Sequence, residues 1–237
     1  MAGKPCDRAG WEHNLHEEAA SAQEETTASL FGDIDKFYDN VAHHHLWKEG
    51  LAVGFHPRLL LLMLFVYSQP RIITIDGAHS DPITVSGTIL PGCSLATTGA
   101  KILVLRLLLA TQSSWPQVRI KNIVDDITMQ TNGKQADVVY RIAGAAQQLT
   151  TGLMALDLPL SAKKTAFMAS SSEVAKQIIK ALWPLPIPRK TTLRNLGTDA
   201  GGGAKRSSAT QSRRLAEALR QGKASPGNRG SRRKTPS

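Results

Sequence analysis

The stretch I-V-D-D-I-T, residues 123–128, sets Asp125 and Asp126 side by side between residues that favour a β-strand. The runs V-R-I-K-N-I-V (118–124) and I-T-M-Q (127–130) flank the pair, which reads as a hairpin with the two aspartates as its two-residue tip. At an effective dielectric of about 20, two carboxylates about 4 Å apart repel by roughly 4 kcal/mol. Such a pair stays solvated, shares a proton or holds a cation, and its neighbours decide which.

Working outward, G-T-I-L-P-G-C-S-L-A-T-T (87–98) passes from a Gly/Pro loop into a long apolar helix ending near Ala110, and residues 135–156 read as an Ala/Gln/Leu-rich helix. Residues 71–86 form two β-rich runs around a Gly/Asp/Pro turn. A helix is expected from about His43 to Glu49, and another from Pro57 to Tyr67. The run L-L-L-L-M-L-F-V-Y (59–67) is far too short to span a bilayer and is expected to be a buried helix. L-F-G-D-I-D (30–35) is a short strand, L-P-L-S-A-K-K-T-A-F-M (158–168) a turn and strand, and W-P-L-P-I-P (183–188) an extended proline stretch. The order predicts an α+β fold, an antiparallel sheet with helices on one face.

Charge divides the 237 residues into three parts. Residues 1–30 carry a net −4, residues 31–200 a net +5 and residues 201–237 a net +9. Residues 1–29 are expected to be a polar lead-in, a weak helix or disordered. Residues 201–237, rich in Gly, Ser, Arg and Lys, read as a disordered basic tail that either aids solubility or serves nucleic-acid binding or nuclear import. Cys6 and Cys93 form no disulfide or zinc framework, which suits an intracellular protein. His43, His44 and His45 are consecutive, cannot all face one metal from a helix, and read as surface or helix-start residues. G-T-D-A-G-G-G-A-K-R (197–206) fails the phosphate-loop pattern.

Asp33, like Asp125, ends a short β-forming run, and in an antiparallel sheet those ends can lie together. Three carboxylates at one sheet edge make a hard-oxygen site suited to Mg²⁺, and two such ions can clamp the attacking and leaving oxygens of an in-line phosphoryl transfer.

At this point residues 30–200 resemble the palm domain of reverse transcriptases, particularly those of group II introns and non-LTR retrotransposons. G-D-I-D-K-F-Y-D-N-V (32–41) is similar to palm motif A, G-T-I-L-P-G-C-S-L-A-T-T to motif B, I-V-D-D to motif C and L-P-L-S-A-K-K-T-A-F (158–167) to motif D. L-R-N-L-G (193–197) resembles the element that grips the primer. Pro91 stands where motif B usually has Gln, and Ile123 where motif C usually has an aromatic.

The resemblance implies RNA-directed DNA synthesis with two Mg²⁺ ions, or Mn²⁺ in their place. Asp33 and Asp125 become metal ligands, with Asp126 assisting. Tyr38 becomes the ring that excludes a 2′-hydroxyl, and Ile34 and Gly92 adjoin the nucleotide. Lys164, or next Lys163, becomes the donor of a proton to pyrophosphate. The implied partners are an RNA template, a DNA primer and dNTP, with no membrane. The fingers expected before motif A and the thumb expected after L-R-N-L-G are missing, so the chain reads as a palm fragment whose other parts a longer polyprotein would supply. Positioning does most of the work in phosphoryl transfer, so a palm alone would be a feeble catalyst. Two alternatives stay open: a catalytically silent nucleic-acid-binding remnant, whose phosphate contacts weaken with salt, and an RNA-templated RNA polymerase palm, which Tyr38 disfavours.

Overall fold

The computed structural model describes residues 5–195 and 198–201. Apart from Gly201, the basic tail lies outside the described residues, as do Leu196 and Gly197 of the L-R-N-L-G element. The elements run α1 (Pro5–Ala22), β1 (Thr26–Asp33), α2 (His43–Ala52), α3 (Pro57–Tyr67), β2 (Thr74–Ile75), β3 (Ala78–His79), α4 (Ala96–Ser114), β4 (Arg119–Ile123), β5 (Asp126–Gly133), α5 (Gln135–Met154), β6 (Ala166–Ala169), α6 (Ser172–Leu182), β7 (Thr192–Asn195) and β8 (Thr198–Gly201).

The main sheet has the order β4-β5-β1-β6, every neighbouring pair antiparallel. Side chains alternate between faces along each strand. Ala28 and Leu30 therefore share a face with their partners Met129, Phe167 and Ala169, and all join the buried core. Helix α5 closes this face. Its Val138, Ile142, Ala145, Leu149 and Leu153 recur at three- and four-residue steps, which gather them into one apolar stripe. Fully burying an aliphatic side chain such as Leu149 contributes about 1.5–3 kcal/mol, so this stripe holds the helix to the sheet.

The other face is more polar and carries Ser29, Phe31 and Asp33 beside Gln130, Thr128 and Asp126. Helix α1 crosses it. Ser29 Oγ donates to Glu17 Oε1 at 2.9 Å, Gln130 Nε2 donates to the His13 carbonyl at 3.2 Å, and the His13 ring meets Phe31 edge-on at 5.1 Å. An ion pair between Lys121 and Glu12 at 2.7 Å fastens it near β4. The acidic start of the chain is thus an 18-residue helix, and β1 begins at Thr26, ahead of the strand expected from Leu30.

Helix α3 starts at Pro57, where a missing backbone N–H costs nothing. The expectation that it would be buried needs correcting. Only Leu60, Met63 and Tyr67 are enclosed, against Gly50 of α2 and Gly99 of α4, while Leu59, Leu61, Leu62, Phe65 and Val66 stay exposed. The helix packs on one side only, so a continuous apolar run yields one buried stripe. No described helix is long and apolar enough to cross a membrane.

Helix α6 is absent from the sequence reading, although its signals are present. Ser171 Oγ accepts from the Val174 amide at 3.2 Å as an N-cap, Glu173 lies in the first turn and Lys180 in the last.

Candidate active site

Strand β1 ends at Asp33, whose register partner on β5 is Asp126. Directly opposed residues in an antiparallel pair have Cα atoms about 4.5–5.5 Å apart, so residues distant in sequence meet at one sheet edge. The hairpin tip differs from expectation by one position. Val124 and Asp125 form the turn, and Asp126 is already the first residue of β5, paired with Ile123. Val124 has φ +58°, an unusual region for a β-branched side chain and one that costs about 1–3 kcal/mol. Asn122 Nδ2 steadies the turn by donating to the Val124 carbonyl at 2.9 Å, and the Ile34 amide donates to the Asp125 carbonyl at 3.0 Å. The stretch that resembles motif C is thereby tied through the backbone to the one that resembles motif A.

The loop that resembles motif D is strapped to the same edge. The Ser161 amide donates to the Asp33 carbonyl at 2.7 Å, the Asp33 amide to Thr165 Oγ1 at 3.3 Å, and the Asp35 amide to the Pro159 carbonyl at 2.9 Å. These bonds bring Lys164 Nζ to 3.0 Å from Asp33 Oδ1. Lys163 beside it is exposed.

Asp33 is 9% exposed, and its Oδ2 is buried without a hydrogen-bond partner. Asp125 and Asp126 are half-buried. Burial pushes the Asp126 carboxyl up to about 6, helped by the charges of Asp125 and Asp33 and opposed by Lys164. The hydrogen bond to Asp33 holds the Lys164 ammonium above the ordinary lysine range.

The loop that resembles motif B is zipped to the segment after motif A. Ile89 donates to the Tyr38 carbonyl at 2.8 Å, Thr88 donates to the Val41 carbonyl at 2.7 Å, and a bridge joins Ala42 to Gly87. Tyr38 is partly buried with its ring stacked on Phe37 at 5.9 Å, and its hydroxyl is pushed up by burial and then by the Asp125 charge. Gly92 has φ +84° with open space where a Cβ would stand, so the turn itself calls for glycine. Ile34 follows Asp33 but points into the core at 1% exposure, which leaves its backbone at the site.

Among the described residues, the one group of three metal-capable side chains with ligand atoms within 4.8 Å of one another is His44, His45 and Asp157. Asp33, Asp125 and Asp126 do not form such a group. The histidine grouping escaped the sequence reading because Asp157 is remote in the chain. His45 Nε2 lies 3.2 Å from Asp157 Oδ2, while its Nδ1 is buried without a partner. The cluster also sits at the start of α2, where the helix dipole disfavours a cation.

A residue set of hard oxygens, one of them an orphaned buried carboxylate oxygen with a lysine ammonium already against its twin, fits a divalent cation. Comparisons with known proteins bear on the family and the fold. The family model described as "Reverse transcriptase (RNA-dependent DNA polymerase)" matches residues 4–199. Apo telomerase from Candida tropicalis, truncated from its C-terminal domain, is similar in structure with a TM-score of 0.56 and 11% identity, over 84% of this chain and 39% of that one. Telomerase from the same organism, in complex with a TWJ fragment of telomeric RNA, gives 0.51 and 10% identity, over 70% and 29%. The chain therefore spans well under half the length of these solved structures. Among curated proteins none matches it. The α+β architecture, with its antiparallel sheet and packed helices, resembles the reverse transcriptase palm, and the chain belongs to the reverse transcriptase (RNA-dependent DNA polymerase) family.

Proposed function

We propose that this chain supplies the palm of an RNA-directed DNA polymerase of the group II intron and non-LTR retrotransposon kind. It acts on a DNA primer, an RNA template and dNTP in an intracellular setting, with fingers and thumb contributed by a longer polyprotein. Residues 30–200 are the palm, residues 1–29 its lead-in and residues 201–237 a basic tail. The observation that carries the reading is the cross-strand pairing of Asp33 with Asp126, with Asp125 at the adjoining turn and Lys164 on Asp33.

In the reaction, the primer 3′-hydroxyl loses its proton to water and its oxygen bonds to the α-phosphorus as the bond from that phosphorus to the bridging oxygen of pyrophosphate breaks. Asp33 and Asp125 would hold two divalent ions, Mg²⁺ or Mn²⁺, with Asp126 assisting. When bound, such ions offset the negative charge that gathers on the transferring group. Tyr38 packs beneath the sugar and leaves no room for a 2′-hydroxyl, the backbone beside Ile34 and the turn at Gly92 admit the nucleotide, and Lys164 gives a proton to the departing pyrophosphate.

Extension of oligo(dT) on poly(rA) with dTTP and Mg²⁺ tests this, with Asp125→Ala as the control. Extension that the substitution abolishes supports the proposal. The spread of the three carboxylates favours a second reading, a silent remnant that binds nucleic acid, and salt-sensitive binding of the template without extension would establish that reading instead. A preference for ribonucleotides would identify an RNA polymerase palm.

A further inference from the structure

Lys164 does more at this edge than wait for a leaving group. Its ammonium lies 3.0 Å from Asp33 Oδ1, and the two partners differ sharply in surroundings: the Asp33 side chain is 12% exposed and that of Lys164 67%. A carboxylate so enclosed, with its second oxygen unpartnered, needs a positive charge near it, and this lysine supplies it. The backbone on both sides of Lys164 is anchored. Ser161 and Thr165 are bonded to each other at 2.9 Å and to the main chain of Asp33, and Leu160 bridges to Ile34. These bonds hold the loop to the sheet edge, and rotation of the four-carbon lysine stem can move the ammonium without breaking them.

We propose that Lys164 is an exchangeable counter-ion: it neutralises Asp33 in the cation-free protein, gives up that seat when a divalent cation enters, and by leaving becomes available to the anionic oxygens of a triphosphate. Cation entry and readiness of the proton donor are then one event. This rests on the proposed reading of Asp33 as a metal ligand.

The test begins with the wild-type chain. Acylation of lysines by acetic anhydride is followed by peptide mass spectrometry in chelator and in Mn²⁺, while electron paramagnetic resonance counts the Mn²⁺ bound. Lys163, exposed and next in sequence, is the internal reference. The expected result is slower labelling of Lys164 than of Lys163 in chelator, and a several-fold rise at Lys164 alone as Mn²⁺ binds. Asp33→Asn should raise Lys164 labelling without any metal, with circular dichroism checking its fold. Equal labelling of the two lysines in chelator, or Mn²⁺ that binds without changing Lys164, overturns the exchange and leaves the metal-site reading standing. Absence of Mn²⁺ binding removes both.

Discussion

Replacing Asp126 by Asn should make the cation-free protein more stable at neutral pH and flatten its pH dependence. In the folded chain the Asp126 carboxyl is pushed up to about 6 by burial and by the facing charges of Asp125 and Asp33, against an ordinary value of 3.8. The folded state therefore binds this proton more tightly than the unfolded state. Its contribution is fully present below about pH 3.8, and is lost as pH rises through about 6. A shift near two units corresponds to about 3 kcal/mol at most, and solvent screening of a half-buried group reduces this to about 1–2 kcal/mol. Urea unfolding of both proteins at pH 4.5, 6.0 and 7.5 in chelator, taken as a difference, cancels the contributions of every group the two proteins share. The variant should gain about 1–2 kcal/mol over wild type between the ends of that range. Mg²⁺ or Mn²⁺ should restore the wild type at pH 7.5 and do less for the variant, because a bound cation stabilises the form that offers the carboxylate. A difference independent of pH, or a variant less stable at pH 7.5, refutes the placement of three like charges at one edge.

Three further outcomes are expected. Tyr38→Val should raise the incorporation of ribonucleotides relative to deoxynucleotides by at least about tenfold, read as the ratio of kcat/KM values, since a pocket that gains space for one group relaxes by about that much. Gly144→Ala should cost about 1–3 kcal/mol in urea unfolding, because the new Cβ would overlap the Trp115 ring, which is held in place by its Nε1 donating to Gln148 Oε1 at 2.9 Å. Ser171→Ala should cost about 1 kcal/mol by loss of the α6 cap, and a Gly substitution there should cost markedly less.

Much of the fold is legible in local pattern. Pro57 opens α3, alternation marks the hairpin around Asp125, and the three- and four-residue steps of Val138, Ile142, Ala145, Leu149 and Leu153 announce the α5 stripe. These signals need only a period and a punctuating residue. Helix α6 is equally legible in its Ser171 cap and Glu173. The acidic helix α1 was harder. Its hold on the sheet comes from single contacts, Glu17 with Ser29 and Glu12 with Lys121, rather than from an apolar face. The partial exposure of α3 could not be foreseen, since a run of leucines is compatible with burial on one side or on all.

The candidate site divides in the same way. The sequence by itself determined which residues are chemically equipped: the acids at 33, 125 and 126, the ring at 38, the glycine at 92 and two adjacent lysines, each named by its local motif. Only the tertiary structure decided that β1 lies beside β5 in the register that faces Asp33 with Asp126, that Lys164 rather than Lys163 meets Asp33, and that Asp157 reaches His45. Short-range spacing sets the face on which a side chain stands, but the choice of neighbour is made by competition among distant segments for the same buried area and the same unpaired charge.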